Sequence, residues 1–325
     1  MRAYVVRRVL GSLFVMLAAL SLVFVMTRVA PGKPAETILG AAATPESVAE
    51  LNHQLGLDEP LGAQYVDYMW NALHGDFGNS YYSHESAMAA VIDRIPVTAE
   101  LAFLTMLASV VVALGLTIVT ARARSRWLNG VADGASLIGL SIPTFWSGLL
   151  LLLLFGLYWP DIIPAGGWVY FSDDPIENLK TCILPVFALS LPTFAILYRS
   201  LRSSMQDVVH RDYVTYGRAA GLREGKVIRK VAVPNAIVPT ATVAGLLLGY
   251  LLGGSLIIET IMSIPGLGQL VVYSLQRRDY PVATASIAVI AVSFVLVNLA
   301  VDLVYATLSP RVRDLYSRKV TIREA

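Results

Sequence analysis

Long apolar runs alternate with polar stretches along this 325-residue chain, and six of the runs have the length that about 30 Å of hydrocarbon demands. They cover Val9 to Thr27, Thr98 to Thr120, Val131 to Tyr158, Thr181 to Tyr198, Ala236 to Ile258 and Pro281 to Leu303. In lipid, a lone strand leaves backbone groups without partners, so each run is expected to be a helix. The pattern predicts an all-α polytopic membrane protein with six transmembrane helices, one N-terminal helix followed by a five-helix core.

The polar stretches sort by charge. Arg2, Arg7 and Arg8 precede the first run, and Arg122, Arg124 and Arg126 follow the second. Eight basic residues against three acidic ones occupy residues 199–235, and the tail is also basic. Residues 29–97 instead hold nine acidic residues against Lys33 and Arg94, and 159–180 hold four against Lys180. Lysine and arginine stay inside, so both termini are expected to be cytoplasmic in a multi-pass cell-membrane protein. The net charge of +2 is then an orientation signal, not a footprint for nucleic acid. The organisation expected is an N-terminal segment and first helix (1–28), an external segment (29–97), a five-helix core (98–308) with a cytoplasmic loop at 199–235, and a cytoplasmic tail (309–325). The first run leaves through Thr27 and Arg28 with no small-x-small cleavage pattern, which predicts a retained helix.

Within this frame several residues carry local meaning. Thr44 and Pro45 read as N-cap and first residue of an external helix with Val48, Leu51 and Leu55 on one face and Gly56 at its end. Tyr65, Met69, Ala72 and Leu73 suggest a second, ending near Gly75. This segment is either a platform for an external partner or a lid packed on the spans. Pro143 in LGLSIPTFWSG is expected to kink the third span, with gating as the functional alternative, and Pro185 and Pro192 to bend the fourth. Trp159 and Trp168 sit where an outer aromatic belt belongs. Gly245, Gly249 and Gly253 form a small-residue seam or pathway face, read here as facing a partner subunit with an intrachain helix as the alternative. Past the fifth span, ETIMSIPGLGQLVVYSLQRRDYP is expected to be an outer hairpin with a gate role, carrying a surface helix over Leu270 to Leu275.

The polar island DYVTYGRAAGLREGKVIRKVAVPNA, from Asp212, reads as a docking knob. Asp212 is expected to be its N-cap and Gly221 its C′ residue. Ala219 and Ala220 allow a close approach, with Arg218, Arg223, Lys226, Arg229 and Lys230 around them.

The spans show no chemistry of their own. Glu100, Asp133, Glu259 and Asp302 stand at predicted span ends, where water and headgroups would solvate them. Ion-coupled carriage needs an ionisable site at depth, so the energy source is expected elsewhere. Near Lys226, position 220 is Ala and position 227 is Val, which excludes a phosphate-cradling loop. His53, His74, His84 and His210 lack metal-ligand spacing, so no metal or catalytic site is expected, and the lone Cys182 has no disulfide partner within the chain.

Taken in order, RAYVVRRVL, RVAPG, LGLDEPL, Gly75 to Gly78, LGLSIPTFW, DYVTYGRAAGL, ETIMSIPGLGQL and RRDYP make the chain resemble the permease subunits of binding-protein-dependent ABC importers, in the oligopeptide and dipeptide branch. The wider family's cytoplasmic Glu-Ala-Ala motif falls here on Thr215, Tyr216 and Gly217. Gly221 matches its glycine, and Val231, Val233 and Pro234 its ending. Lys33 stands where the branch has an acidic residue. The resemblance implies a non-catalytic subunit for peptide uptake, with oligopeptides as the leading cargo. Its partners would be an external solute-binding protein, a homologous second permease subunit and cytoplasmic ATPase subunits that bind ATP and Mg. It makes Asp212, Tyr213, Tyr216, Arg218, Ala219, Ala220, Gly221 and Leu222 the ATPase-coupling surface. The rival readings are a secondary carrier or channel, which needs a buried ion site, and a membrane enzyme, which needs a nucleophile, base or metal cluster at depth.

Overall fold

The computed structural model describes residues 2–29, 34–40, 43–54, 56–123, 125–159 and 162–308. Lys33, Leu55, Arg124 and the basic tail lie outside the described residues, as does the side chain of Asp302. Among the described residues the architecture is helical, with an isolated antiparallel bridge between Asn79 and Ser86.

Helix α1 (Arg2–Val29) is apolar around most of its circumference and leaves most of that surface exposed, as a lipid-facing helix does. The segment expected to be external carries α2 (Pro34–Leu39), α3 (Pro45–Gln54), α4 (Leu61–Leu73) and α5 (Ala87–Ile92). Thr44 caps α3, its Oγ1 accepting from the Ser47 N–H at 3.2 Å, and Gly56 follows in the left-handed region at φ +64°. α4 lies against α1: Phe24 packs on Tyr65 and Tyr68 with ring centroids 5.3 Å away, and the Ser21 and Tyr65 hydroxyls are 2.7 Å apart. Part of the 29–97 segment thus packs on a span.

Helix α6 (Ile95–Ala123) follows, then α7 (Arg126–Ser141) and α8 (Thr144–Tyr158), which are bent by 95° relative to each other. The kink expected at Pro143 is a complete break of the helix. Proline has no N–H to give and disfavours helical geometry in its predecessor, and Ile142 is extended at φ −80°, ψ 119°. Pro143 then serves as the N-cap of α8.

Helix α9 (Pro175–Val209) starts on Asp174, whose Oδ1 accepts from the Ile176 and Glu177 N–H groups at 2.9 and 3.1 Å. It outruns the expected end at Tyr198 because Leu201, Met205 and Val208 prolong its buried stripe. Pro185 and Pro192 lie inside it. Next come α10 (Asp212–Ala219), α11 (Glu224–Val227), a π-helical turn (Ile228–Ala232), α12 (Val233–Gly254), α13 (Leu256–Ile261), α14 (Leu267–Gln276) and α15 (Tyr280–Leu308).

Among the described residues, five helical stretches are long and apolar enough to cross a membrane: Val6–Met26, Ala87–Arg122, Pro175–Val209, Glu224–Ile261 and Tyr280–Val301. The bent α7/α8 pair is a sixth when counted as one span. The central core joins Val97 and Leu101 of α6, Leu184 and Ala188 of α9, Leu251 of α12, and Ile258, Met262 and Ile264 around α13.

Candidate functional site

Two polar segments stand out, one presented to the surroundings and one sealed inside. The presented one is α10. Arg211, not Asp212, is its N-cap, with extended geometry at φ −79°, ψ 149°; Asp212 is the first helical residue, where its charge faces the positive end of the helix. Gly221 lies at φ +79°. Its N–H donates to the Arg218 carbonyl at 3.0 Å, and the Leu222 N–H reaches the Gly217 carbonyl at 3.2 Å. These two bonds close the helix in a Schellman motif. Leu222 then tucks under the helix beside Gly217.

Val214 and Gly217 are buried on a small core of Met205, Val208, Val227, Ile228, Ala232 and Ala236. The opposite face presents Asp212, Tyr213, Tyr216, Ala219 and Ala220, and Tyr216 is 76% exposed. Arg223, Lys226, Arg229 and Lys230 are also exposed. Arg218 does not join them. Its Nη2 and Nε donate to Glu224 at 2.9 and 3.2 Å, because the Schellman turn folds residue 224 back onto the end of α10. The paired carboxylate raises the Arg218 pKa still further. Arg122 reaches over from α6 to the Gly225 carbonyl at 3.4 Å, tying the knob to a span. Asp133, expected in headgroup water, forms an ion pair with Arg202 that links α7 to α9.

The sealed segment is the hairpin of α13 and α14. Glu259 is fully buried, which corrects its expected solvation at a span end. Ser255 and Thr98 donate their hydroxyls to Glu259 Oε1 at 2.7 and 3.0 Å, and the Gln269 N–H donates to Oε2 at 3.1 Å. Thr98 Oγ1 in turn accepts from the Leu267 N–H at 2.8 Å. Glu259 and Thr98 together satisfy two of the open donors at the start of α14, a helix end buried from water. A Cβ at Gly266 would stand 2.5 Å from Glu259 Oε2, and one at Gly268 would stand 2.3 Å from Leu256 Cα. The two glycines are thus required by contact. The expected surface helix is instead an inserted one, with Leu267, Gln269, Val271 and Ser274 buried. The Gly167 N–H, donating to the Met262 carbonyl at 2.9 Å, closes the loop after α8 over this hairpin. Further along, buried Asp279 holds the turn around residue 80, accepting from the Ser80 hydroxyl at 2.5 Å and the Tyr81 N–H at 3.2 Å.

The glycine seam is filled by α15 of the same chain. Cβ atoms at Gly245, Gly249 and Gly253 would meet Val301 at 2.3 Å, Phe294 at 3.0 Å and Ile290 at 3.3 Å. The partner-facing reading of the seam is thereby corrected: its small residues serve an intrachain crossing.

The sequence had no signal for the Glu259 network beyond the neighbouring Pro265, Gly266 and Gly268. An acidic residue at the end of an apolar run, followed seven and nine residues later by glycines after a proline, is the pattern that could have disclosed it.

Five or six apolar helical crossings define a multi-pass membrane component. The chain belongs to the family described as binding-protein-dependent transport system inner membrane component, which matches residues 112–314. The N-terminal model of the same membrane components matches residues 1–102. It is 36% identical over 315 residues to a protein of Brucella abortus (strain 2308) provisionally named a peptide transport system permease, with 96% of this chain and 99% of the relative covered. A dipeptide transport system permease protein of Alkalihalophilus pseudofirmus is 36% identical over 332 residues, covering 96% and 100%. A glutathione transport system permease protein of Salmonella choleraesuis is 35% identical over 312 residues, covering 95% and 98%.

Proposed function

We propose that this chain is the transmembrane subunit of an ATP-driven peptide importer in a prokaryotic cytoplasmic membrane, crossing six times with both termini inside. Oligopeptides are the favoured cargo. The α10 knob sits in a groove on a cytoplasmic ATPase subunit, which binds and hydrolyses ATP with Mg. Closure of two such ATPases moves the knob as a rigid body together with α6 and α9. A homologous permease subunit completes the pathway, and an external binding protein delivers the peptide. The carrying observation is the knob: an exposed tyrosine and alanine face, closed by Gly221, on a solid apolar footing. A surface turn without a partner has no need of such a footing. The names of the relatives support peptides as the cargo class.

The test is purification with the native partners and measurement of peptide-stimulated ATP hydrolysis in lipid, with a cysteine at Ala219 for cross-linking. A cross-link to the ATPase is expected. A residue-219 cysteine that reacts only from outside the cell, or transport by the chain alone, overturns the proposal.

One observation favours the rival ion-coupled carrier, namely the buried Glu259. Its three donors leave it occupied as a structural acceptor, and Glu259→Gln is expected to keep ATP dependence. Uptake that follows a proton gradient in wild type and not in Glu259→Gln would favour the carrier.

A further inference from the structure

Helix α4 carries three stripes, and the contact with α1 occupies one of them. Gln64 is buried on that side, and the Tyr65 and Tyr68 rings lie on Phe24. Asp67 and Asn71, four residues apart, form an exposed polar stripe. Val66, Trp70 and Leu73 follow the i, i+4, i+7 spacing of one helix face and form an apolar stripe, 64%, 65% and 59% exposed. The height of α4 on the span says what covers it. The apolar run of α1, Val6–Met26, is about 31 Å long, the thickness of a hydrocarbon core. α4 touches that run at Ser21 and Phe24, within one turn of α1, so it crosses the span near its end and does not run along it. The crossing lies about 3–8 Å inside the apolar run, and interfacial helices bury their apolar face by about 5–10 Å. At the same height α1 leaves Leu22, Val25 and Met26 exposed to the same surroundings. Trp70, stacked on His74 with ring centroids 4.6 Å apart, is the side chain that favours the wet edge of a bilayer.

We propose that α4 is an interfacial helix whose Val66, Trp70 and Leu73 dip into the lipid of the leaflet in which α1 ends, while Asp67 and Asn71 stay in water. The helix contains no lysine or arginine, so its attachment rests on apolar burial and not on attraction to anionic headgroups. It fixes the height of α1 in the bilayer and pins the 29–97 segment to the membrane surface.

The test places nitroxide labels on single cysteines at residues 66, 67, 71 and 73 of the Cys182→Ala chain, purified with its native partners and reconstituted in phosphatidylcholine vesicles. All four native side chains are exposed, so the labels displace no packed group. Power-saturation EPR is expected to find positions 66 and 73 open to oxygen, which concentrates in lipid, and shielded from a water-soluble nickel chelate. At 67 and 71 the oxygen-to-nickel ratio should reverse. The same pattern is expected in phosphatidylglycerol. Nickel access at 66 and 73 equal to that at 67 and 71 puts the stripe in water and overturns the proposal. Shielding of 66 and 73 from both reagents means that protein covers the stripe, which overturns it as well. A pattern confined to phosphatidylglycerol vesicles rules out attachment by apolar burial.

Discussion

The knob and the buried α13/α14 hairpin use the same residue types for opposite purposes. Each interrupts apolar helices, turns on glycine and carries an acidic side chain. At Gly221 a Cβ would meet nothing within 4 Å, yet φ is +79°, so glycine is required by backbone geometry alone. At Gly266 the backbone is ordinary and extended, φ −101° and ψ −176°, and glycine is required by the carboxylate pressed against it. The acidic residues differ in the same way. Glu224 steadies a half-buried arginine near the surface, whereas Glu259 is fully buried and caps a helix. A segment that presents a surface needs a stiff turn with open space around it. A segment sealed into one end of a bundle needs every polar group answered.

Breaking the sealed side should cost most. Glu259→Ala leaves two hydroxyls and a backbone N–H without their acceptor, and about 3 kcal/mol or more of stability should be lost. Thermal unfolding of the purified complex reads this, and an unchanged midpoint would erase the contrast. Gly268→Ala drives a Cβ into the Leu256 backbone and should cost about 1–3 kcal/mol. Faster hydrogen exchange over residues 262–270 is the expected sign.

On the presented side the stability effects shrink while the effect on transport does not. Gly221→Val should strain the turn by about 1–2 kcal/mol, leave the protein in the membrane and abolish peptide uptake. Gly221→Asn should recover part of the uptake, because asparagine tolerates left-handed geometry. Uptake assays beside an immunoblot separate these outcomes. Tyr216→Ala should shift stability by less than about 0.5 kcal/mol and still lower peptide-stimulated ATP hydrolysis. Normal coupling in that variant would mean that the exposed face is not the contact.

The sequence disclosed these features unevenly. Thr44, Gly75 and Gly221 were legible because caps and turns depend on a few adjacent residues. Pro143 announced a distortion, but a bend of 95° depends on what α7 and α8 each pack against. The length of α9 was hidden by its charge: Arg199, Arg202 and Asp207 look like a loop until Leu201, Met205 and Val208 are seen to face a core. Arg218 looked like one more positive charge, and its pairing with Glu224 follows from a turn that reverses the chain.

Hydropathy and local turn chemistry alone were enough to determine a helical membrane component, the placement of its apolar runs and the knob with its glycine stop, since each depends on residues within a turn or two of one another. Which groups meet across the bundle was decided by the tertiary structure: Glu259 with Thr98, 161 residues apart, Asp279 with Ser80, 199 apart, and the glycine seam with α15. Those contacts are fixed by packing among helices distant in sequence, and a one-dimensional pattern of polarity carries no record of which helix lies beside which.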